Sequence, residues 1–268
     1  MELNYSVIDV KSGFVMPYDF TGSTIRGVLG VALKKVVCIN PSFECKGCFA
    51  KENCVYYDFY ESDFAKFRLK IKLFPRLDFK IILFEESIKE APFIISAVYK
   101  SLKEIGITKK RIKIDNFVIL YNNQLVFDGE FKKFENKPLT FKVNDYKKDF
   151  TLKINTPVRI KENNRFVRDD IKLETLLRSI NHRFSKLKNQ PIKQLDFIPE
   201  YETVYKNLSF KDLTRYSNRQ KTKMHLGGIS GEIIYKNVDE KSYKLLKLGE
   251  LIGVGKQVTF GLGDIEIE

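Results

Sequence analysis

The sequence predicts an α+β protein built from two units in tandem, each running strand, helix, strand, strand, helix, strand. Three observations carry that expectation. Alternating apolar stretches of strand length recur along the chain, stretches with an apolar stripe at helical spacing lie between them, and a polar, aperiodic stretch over 132–148 separates two such sets. That element order is the order of a ferredoxin-like (RRM-like) unit. At 268 residues, with 43% hydrophobic and 13% aromatic content, the chain is long enough to bury two cores of this size.

The elements follow in order. Residues 2–10 read as a first strand, and a helix is expected over 23–37 with Ile25, Val28, Leu29, Ala32 and Val36 on one face. Gly27, Gly30 and Lys34 fall opposite. A glycine pair weakens a helix unless something packs close against it, so close packing is expected there. Residues 67–73 alternate, with Phe67, Leu69, Ile71 and Leu73 facing one way and Arg68, Lys70 and Lys72 the other, and 79–84 can pair with them. A helix over 91–105 has Pro92 in its first turn and Gly106 placed to stop it. Residues 111–121 and 124–127 make a hairpin around Asn122-Asn123. The first unit is expected over 1–148 and the second over 149–268. The second opens with a strand over 151–160, continues with a helix over 172–187 and two strands within 212–235, and ends with a helix N-capped by Asp239 and a closing strand over 258–267.

The charge balance limits the partners. Lys and Arg number 47 against 34 Asp and Glu, a net charge of +13 spread over the whole chain, which favours an anionic partner. No apolar run reaches the ~18 residues a membrane-spanning helix needs. The start, MELNYSVIDV, lacks the basic-then-apolar design of a secretion signal, so a cytoplasmic protein is expected.

All four cysteines, Cys38, Cys45, Cys48 and Cys54, fall within seventeen residues directly after the first helix. In a cytoplasmic chain a disulfide framework is disfavoured, and the two-residue gap between Cys45 and Cys48 is the knuckle that lets two thiolates reach one tetrahedral ion. Zinc is the favoured ion, an iron–sulfur cluster the alternative and free thiols the third reading. Ligation by cysteine alone leaves no position for a catalytic water, so zinc here would staple a small insertion over 38–54.

Two histidines are the only imidazoles available for proton transfer. On the 172–187 helix Leu173, Leu176, Leu177, Ile180, Phe184 and Leu187 form an apolar stripe, and His182 points away from it between Arg178 and Lys186. Arg183, Arg178 and Lys186 are expected to meet phosphates beside it. The second, His225, ends the run Lys211 to His225, KDLTRYSNRQKTKMH, in which Arg215, Arg219, Gln220, Lys221 and Lys223 with Tyr216 offer charge, stacking and hydrogen bonds against a single acid, Asp212. That mixture suits RNA, whose phosphates and 2′-hydroxyls are gripped and whose unpaired bases stack on aromatics. A solvated surface run is the bland reading.

Gly253, Gly255, Gly261 and Gly263 make a Gly-x-Gly-x5-Gly-x-Gly pattern around Lys256, Gln257 and Thr259. Without Cβ atoms a phosphate backbone can approach closely, and the N–H groups are expected to be free to meet it. The pattern follows a helix and runs into a strand, the reverse of a dinucleotide fingerprint.

This glycine pattern resembles the glycine-rich loop of the CRISPR-associated RAMP superfamily, specifically its repeat-processing endoribonucleases. The helix, the four cysteines and the aromatic segment Tyr56-Tyr57-Asp58-Phe59-Tyr60-Glu61 resemble one branch of them, as does Arg215-Tyr216-Ser217-Asn218-Arg219-Gln220 followed by Gly227-Gly228. The resemblance implies an enzyme that binds CRISPR repeat RNA and cuts it without a catalytic metal. The 2′-hydroxyl attacks the adjacent phosphate, leaving a 2′,3′-cyclic phosphate and a 5′-hydroxyl, and the product is retained or passed to an effector complex. A first-helix histidine, frequent in other branches, is missing from 23–37. His182 or His225 is then the general base or acid, Tyr216 a neutral hydrogen-bonding partner, and Lys223, Arg178, Arg219 or Lys256 the charge stabiliser. The rival is a RAMP subunit that only holds guide RNA.

Overall fold

The structure, a computed structural model, describes residues 1–162, 164–217 and 222–268, with the backbone alone for Tyr216 and Ser217. It divides into two compact units, Leu3–Thr140 and Phe141–Glu268 with Met1–Glu2, so the division falls a few residues before the position near 148 expected from composition.

The first unit runs β1 (Asn4–Lys11), α1 (Gly22–Val37), α2 (Val55–Tyr60), β2 (Phe67–Ile71), β3 (Phe79–Phe84), α3 (Ala91–Tyr99), β4 (Val118–Tyr121), β5 (Gln124–Phe127) and β6 (Leu139–Thr140). The sheet order β2-β3-β1-β4 is the antiparallel ferredoxin-like order, with β5 added beside β4 and β6 beside β1. A π-helical turn, Lys100–Ile105, extends α3 to Gly106, whose φ of 81° stops it. The apolar stripe of α1 packs Ile25, Leu29, Ala32 and Leu33 onto the sheet. Behind it, a Cβ at Gly30 would stand 2.7 Å from the Tyr60 ring, so the glycine is there to admit α2. Arg68 departs from the basic face expected of β2: it is fully buried, alongside Phe67 and Leu69.

The second unit runs β7 (Phe150–Val158), β8 (Lys161–Glu162), β9 (Arg165–Phe166), α4 (Leu173–Leu187), β10 (Glu202–Lys211), β11 (Thr214–Ser217), β12 (Thr222–His225), β13 (Gly228–Lys236), α5 (Glu240–Ile252) and β14 (Ile265–Ile267). Its sheet, β10-β13-β7-β14, has the same ferredoxin-like order, with α4 and α5 packed together where Gly249 admits the Ile180 side chain, and with Leu176, Leu177, Leu245, Leu246 and Leu248 buried. Asp239 caps α5 as expected, its side chain accepting from the Ser242 N–H.

Two expectations need correction here. The strand paired with β13 is β10, and the basic run forms a separate two-stranded hairpin, β11 and β12, in the connection between them. The closing strand is also short: 258–260 form a 3₁₀ turn, and Gly261 and Gly263 take positive φ before β14 begins at Ile265.

Candidate nucleic-acid interface

The glycine loop is tied into its own unit. Gly253 N–H donates to the Gly249 carbonyl (2.8 Å), Val254 N–H to Gly263 (2.9 Å), Lys256 N–H to Arg159 (2.8 Å) and Gly263 N–H to Pro157 (3.1 Å). The Gly255 N–H donates to Ser179 Oγ on α4 at 2.9 Å. A Cβ at Gly255 would stand 2.7 Å from the Arg159 oxygen, and one at Gly263 would collide with the Val254 oxygen. The glycines therefore let protein backbone approach protein backbone, and those N–H groups are not free for phosphates as the sequence suggested. The loop offers side chains instead: exposed Lys256, and half-buried Gln257 and Phe260.

Phe260 joins this loop to the basic hairpin. The Arg215 guanidinium lies 4.5 Å from the Phe260 ring centroid, and its Nη2 reaches Met224 Sδ on the facing strand at 3.0 Å. Burial lowers the Arg215 pKa, yet a guanidinium stays protonated, so a cation is fixed where hairpin and loop meet. Lys223 is exposed on β12. Arg219, Gln220 and Lys221 lie outside the described residues, as does the Tyr216 side chain.

His225 is exposed at the end of β12, its Nδ1 3.1 Å from Asp212 Oδ2. The Leu226 N–H donates to the Leu213 carbonyl at 2.7 Å and closes the hairpin base. Beneath that base lies Arg159, a residue the sequence reading passed over. Its Nη1 donates to the Gly227 carbonyl (2.9 Å), its guanidinium stacks 3.7 Å from the Phe166 centroid on β9, and its own carbonyl holds Lys256. Burial lowers its pKa and the Asp212 charge opposes that shift. Arg168 lies over Phe210 at 5.1 Å nearby. The signal in sequence was slight, an arginine at the end of an apolar strand.

On α4, Arg178 and His182 are exposed, and His182 sits one turn after Ser179, the residue that holds the glycine loop. Partial burial, then the Lys186 charge, lowers the His182 pKa, so the ring is neutral and able to accept a proton at pH 7. Arg183 departs from expectation. It is buried at 8% exposure, and its Nε donates to the Ile252 carbonyl at 2.8 Å, so it anchors the end of α5 and does not present itself to a phosphate.

The four cysteines are half-buried free thiols. The Cys48 N–H donates to the Cys45 carbonyl at 3.3 Å, a turn that fits a two-thiolate knuckle, and Lys34 Nζ is 3.3 Å from Cys45 Sγ. The donor chemistry fits zinc, and binding would have to draw the thiols together, since among the described residues no three Cys, His, Asp or Glu side chains gather closely enough to hold an ion.

The chain thus has two tandem ferredoxin-like units, the second bearing a glycine loop and a basic hairpin in contact. Residues 152–265 match the model of the CRISPR-associated endoribonuclease Cas6, and residues 6–74 match a model described as an N-terminal domain. The Cas6 match lies within the second unit, which is therefore similar to the Cas6 domain. An uncharacterized protein of Archaeoglobus fulgidus is 24% identical over 273 residues, covering 92% of this chain and 91% of its own. Among solved structures, a Cas6 product complex superposes with a TM-score of 0.54 at 14% identity over 100% of both chains. Thermus thermophilus Cas6 does so with 0.53 at 12% identity, over 100% of this chain and 99% of the other. At such identities the structural likeness is one of fold.

Proposed function

We propose that this chain is a metal-independent endoribonuclease that cuts CRISPR precursor transcripts within the repeat. The observation that carries the reading is the Arg215–Phe260 contact, which unites the basic hairpin with the glycine loop in the unit that matches Cas6. The 2′-hydroxyl beside the scissile phosphate loses its proton to an imidazole, attacks phosphorus in line and expels the 5′-oxygen, giving a 2′,3′-cyclic phosphate and a 5′-hydroxyl. His225 and His182 are the groups able to take that proton. Lys256, Lys223 and Arg215 supply positive charge around the phosphorane, and Arg178 and Lys186 extend the cationic surface along α4. A solved partial Cas6-RT-Cas1–Cas2 complex, matched with a TM-score of 0.50 at 16% identity, supports other CRISPR-associated proteins as partners. It covers 100% of this chain but 46% of that one. A structural zinc on the four thiolates is part of the proposal and takes no part in the cut.

The test is incubation of the protein with an end-labelled repeat transcript in EDTA. One defined cut bearing a cyclic phosphate is expected. Tight binding with no cut would make the chain a guide-RNA holder, and a cut abolished by chelation would show a metal-dependent reaction.

A further inference from the structure

We infer that Asp212 is the positioning residue of His225, holding the imidazole in the tautomer that makes it the general base. This inference rests on the nuclease reading of the same site. Asp212 is the one acid in a run of cations, and its carboxylate is where an acid can act on the ring: Oδ2 lies 3.1 Å from Nδ1. An ionised carboxylate can only accept, so the proton of a neutral His225 sits on Nδ1 and the lone pair on Nε2, the opposite edge of the ring.

The pair is held from both sides of the hairpin base. Thr214 and His225 are cross-strand partners, and Leu226 N–H to Leu213 O continues that register, so Asp212, two residues before Thr214, shares its face and stands diagonal to His225. A Cβ on Gly227 would stand 2.6 Å from the Phe210 ring and 3.1 Å from the other carboxylate oxygen, Oδ1, so glycine there leaves room for both side chains. Both side chains are exposed, at 66% for His225 and 50% for Asp212, so the Nε2 edge is open to an RNA strand. In the cut, the proton on the 2′-oxygen passes to Nε2, the 2′-oxygen to phosphorus bond forms, and the phosphorus to 5′-oxygen bond breaks. The 5′-oxygen takes a proton from solvent water, and the imidazolium, stabilised by Asp212, returns its proton to solvent.

The chain has two histidines, so selective ¹⁵N labelling of histidine gives ring signals from His182 and His225 alone, assigned by His182→Gln. At a pH where the ring is neutral, the expected result is a protonated Nδ1 and a bare Nε2 for His225, reverting to protonated Nε2 in Asp212→Ala. Single-turnover cleavage at saturating protein should fall at least about tenfold in Asp212→Ala while repeat-RNA affinity stays within about twofold. Asp212→Glu, which keeps an acceptor-only carboxylate, should retain the tautomer and restore part of the rate. A wild-type tautomer and rate in Asp212→Ala, with His225→Ala inactive, would overturn the role of Asp212 and leave the nuclease standing. Full cleavage by His225→Ala would overturn both His225 as the base and the role of Asp212, with the nuclease still standing; only binding without a cut by the unaltered protein would overturn the nuclease.

Discussion

The glycine loop and the cysteine segment are both additions to ferredoxin-like frameworks, and they are held in opposite ways. Amides of the glycine loop reach Pro157, Arg159 and Ser179, residues far away in sequence. Backbone bonds in the cysteine segment run between neighbours, Phe43 to Asn40, Cys48 to Cys45, Lys51 to Cys48 and Asn53 to Ala50. Ile39, Phe43 and Phe49 stay exposed there. The first segment has its shape from the fold, while the second has little beyond local turns to hold it. This difference explains why the cation–aromatic contact forms at the glycine loop, and why a cross-linking ion suits the cysteines.

The sharpest way to break the comparison is at the chemistry that the glycine loop supports. His225→Ala should lower the single-turnover rate by on the order of 10²–10⁴ with RNA binding retained; His182→Ala, measured alongside, should cost less, and the reverse ranking would move the base to α4. Next comes Gly263→Ala. With φ at +72° and the Val254 oxygen in the way, it should destabilise the second unit by about 2–3 kcal/mol, read from denaturant unfolding.

The cysteine segment should answer to metal instead. Purified protein should carry about one zinc per chain, and Cys48→Ser should lose it and melt earlier while still cutting RNA in EDTA. Metal-free protein with unchanged melting would leave the thiols without an ion. Arg215→Ala, which removes the cation from the Phe260 ring, should weaken RNA binding by about 1 kcal/mol and reduce the salt slope of binding by about 1.

The smallest effect is that of pH. The folded-state pKa of His182 lies below its ordinary 6.5, so the ring resists protonation in the fold. Its penalty is absent above 6.5 and grows as pH falls below it; the drop in stability on acidification from pH 7 to 5 should therefore be shallower in His182→Gln.

Much of this was legible in the sequence because period and capping are local. The helix over 23–37, the strand over 79–84 and the Asp239 cap all follow from spacing and side-chain chemistry. What was missed depends on distant residues. Strand β10 reads ETVYKNLSFK, polar and largely exposed, and only pairing with β13 shows it to be part of the sheet. The glycines looked like a phosphate cradle because the sequence shows the missing Cβ atoms, whereas the Arg159 and Val254 backbones that fill the space come from elsewhere. Arg183 was read with its charged neighbours on α4, yet at helical spacing it falls on the side that meets the end of α5. Asp212 was visible as the lone acid of a basic run, but its purpose appears only when the hairpin folds it beside His225.

In the proposed reading, hairpin and glycine loop grip one ribose-phosphate chain. That grip is tested most directly by photocrosslinking a repeat RNA carrying 4-thiouridine beside the scissile phosphate and mapping the attached peptides by mass spectrometry. The same modified nucleotides should label both the peptide around Lys256 to Phe260 and the peptide around Thr222 to His225. Labelling confined to other surfaces, with neither peptide modified, would contradict that reading.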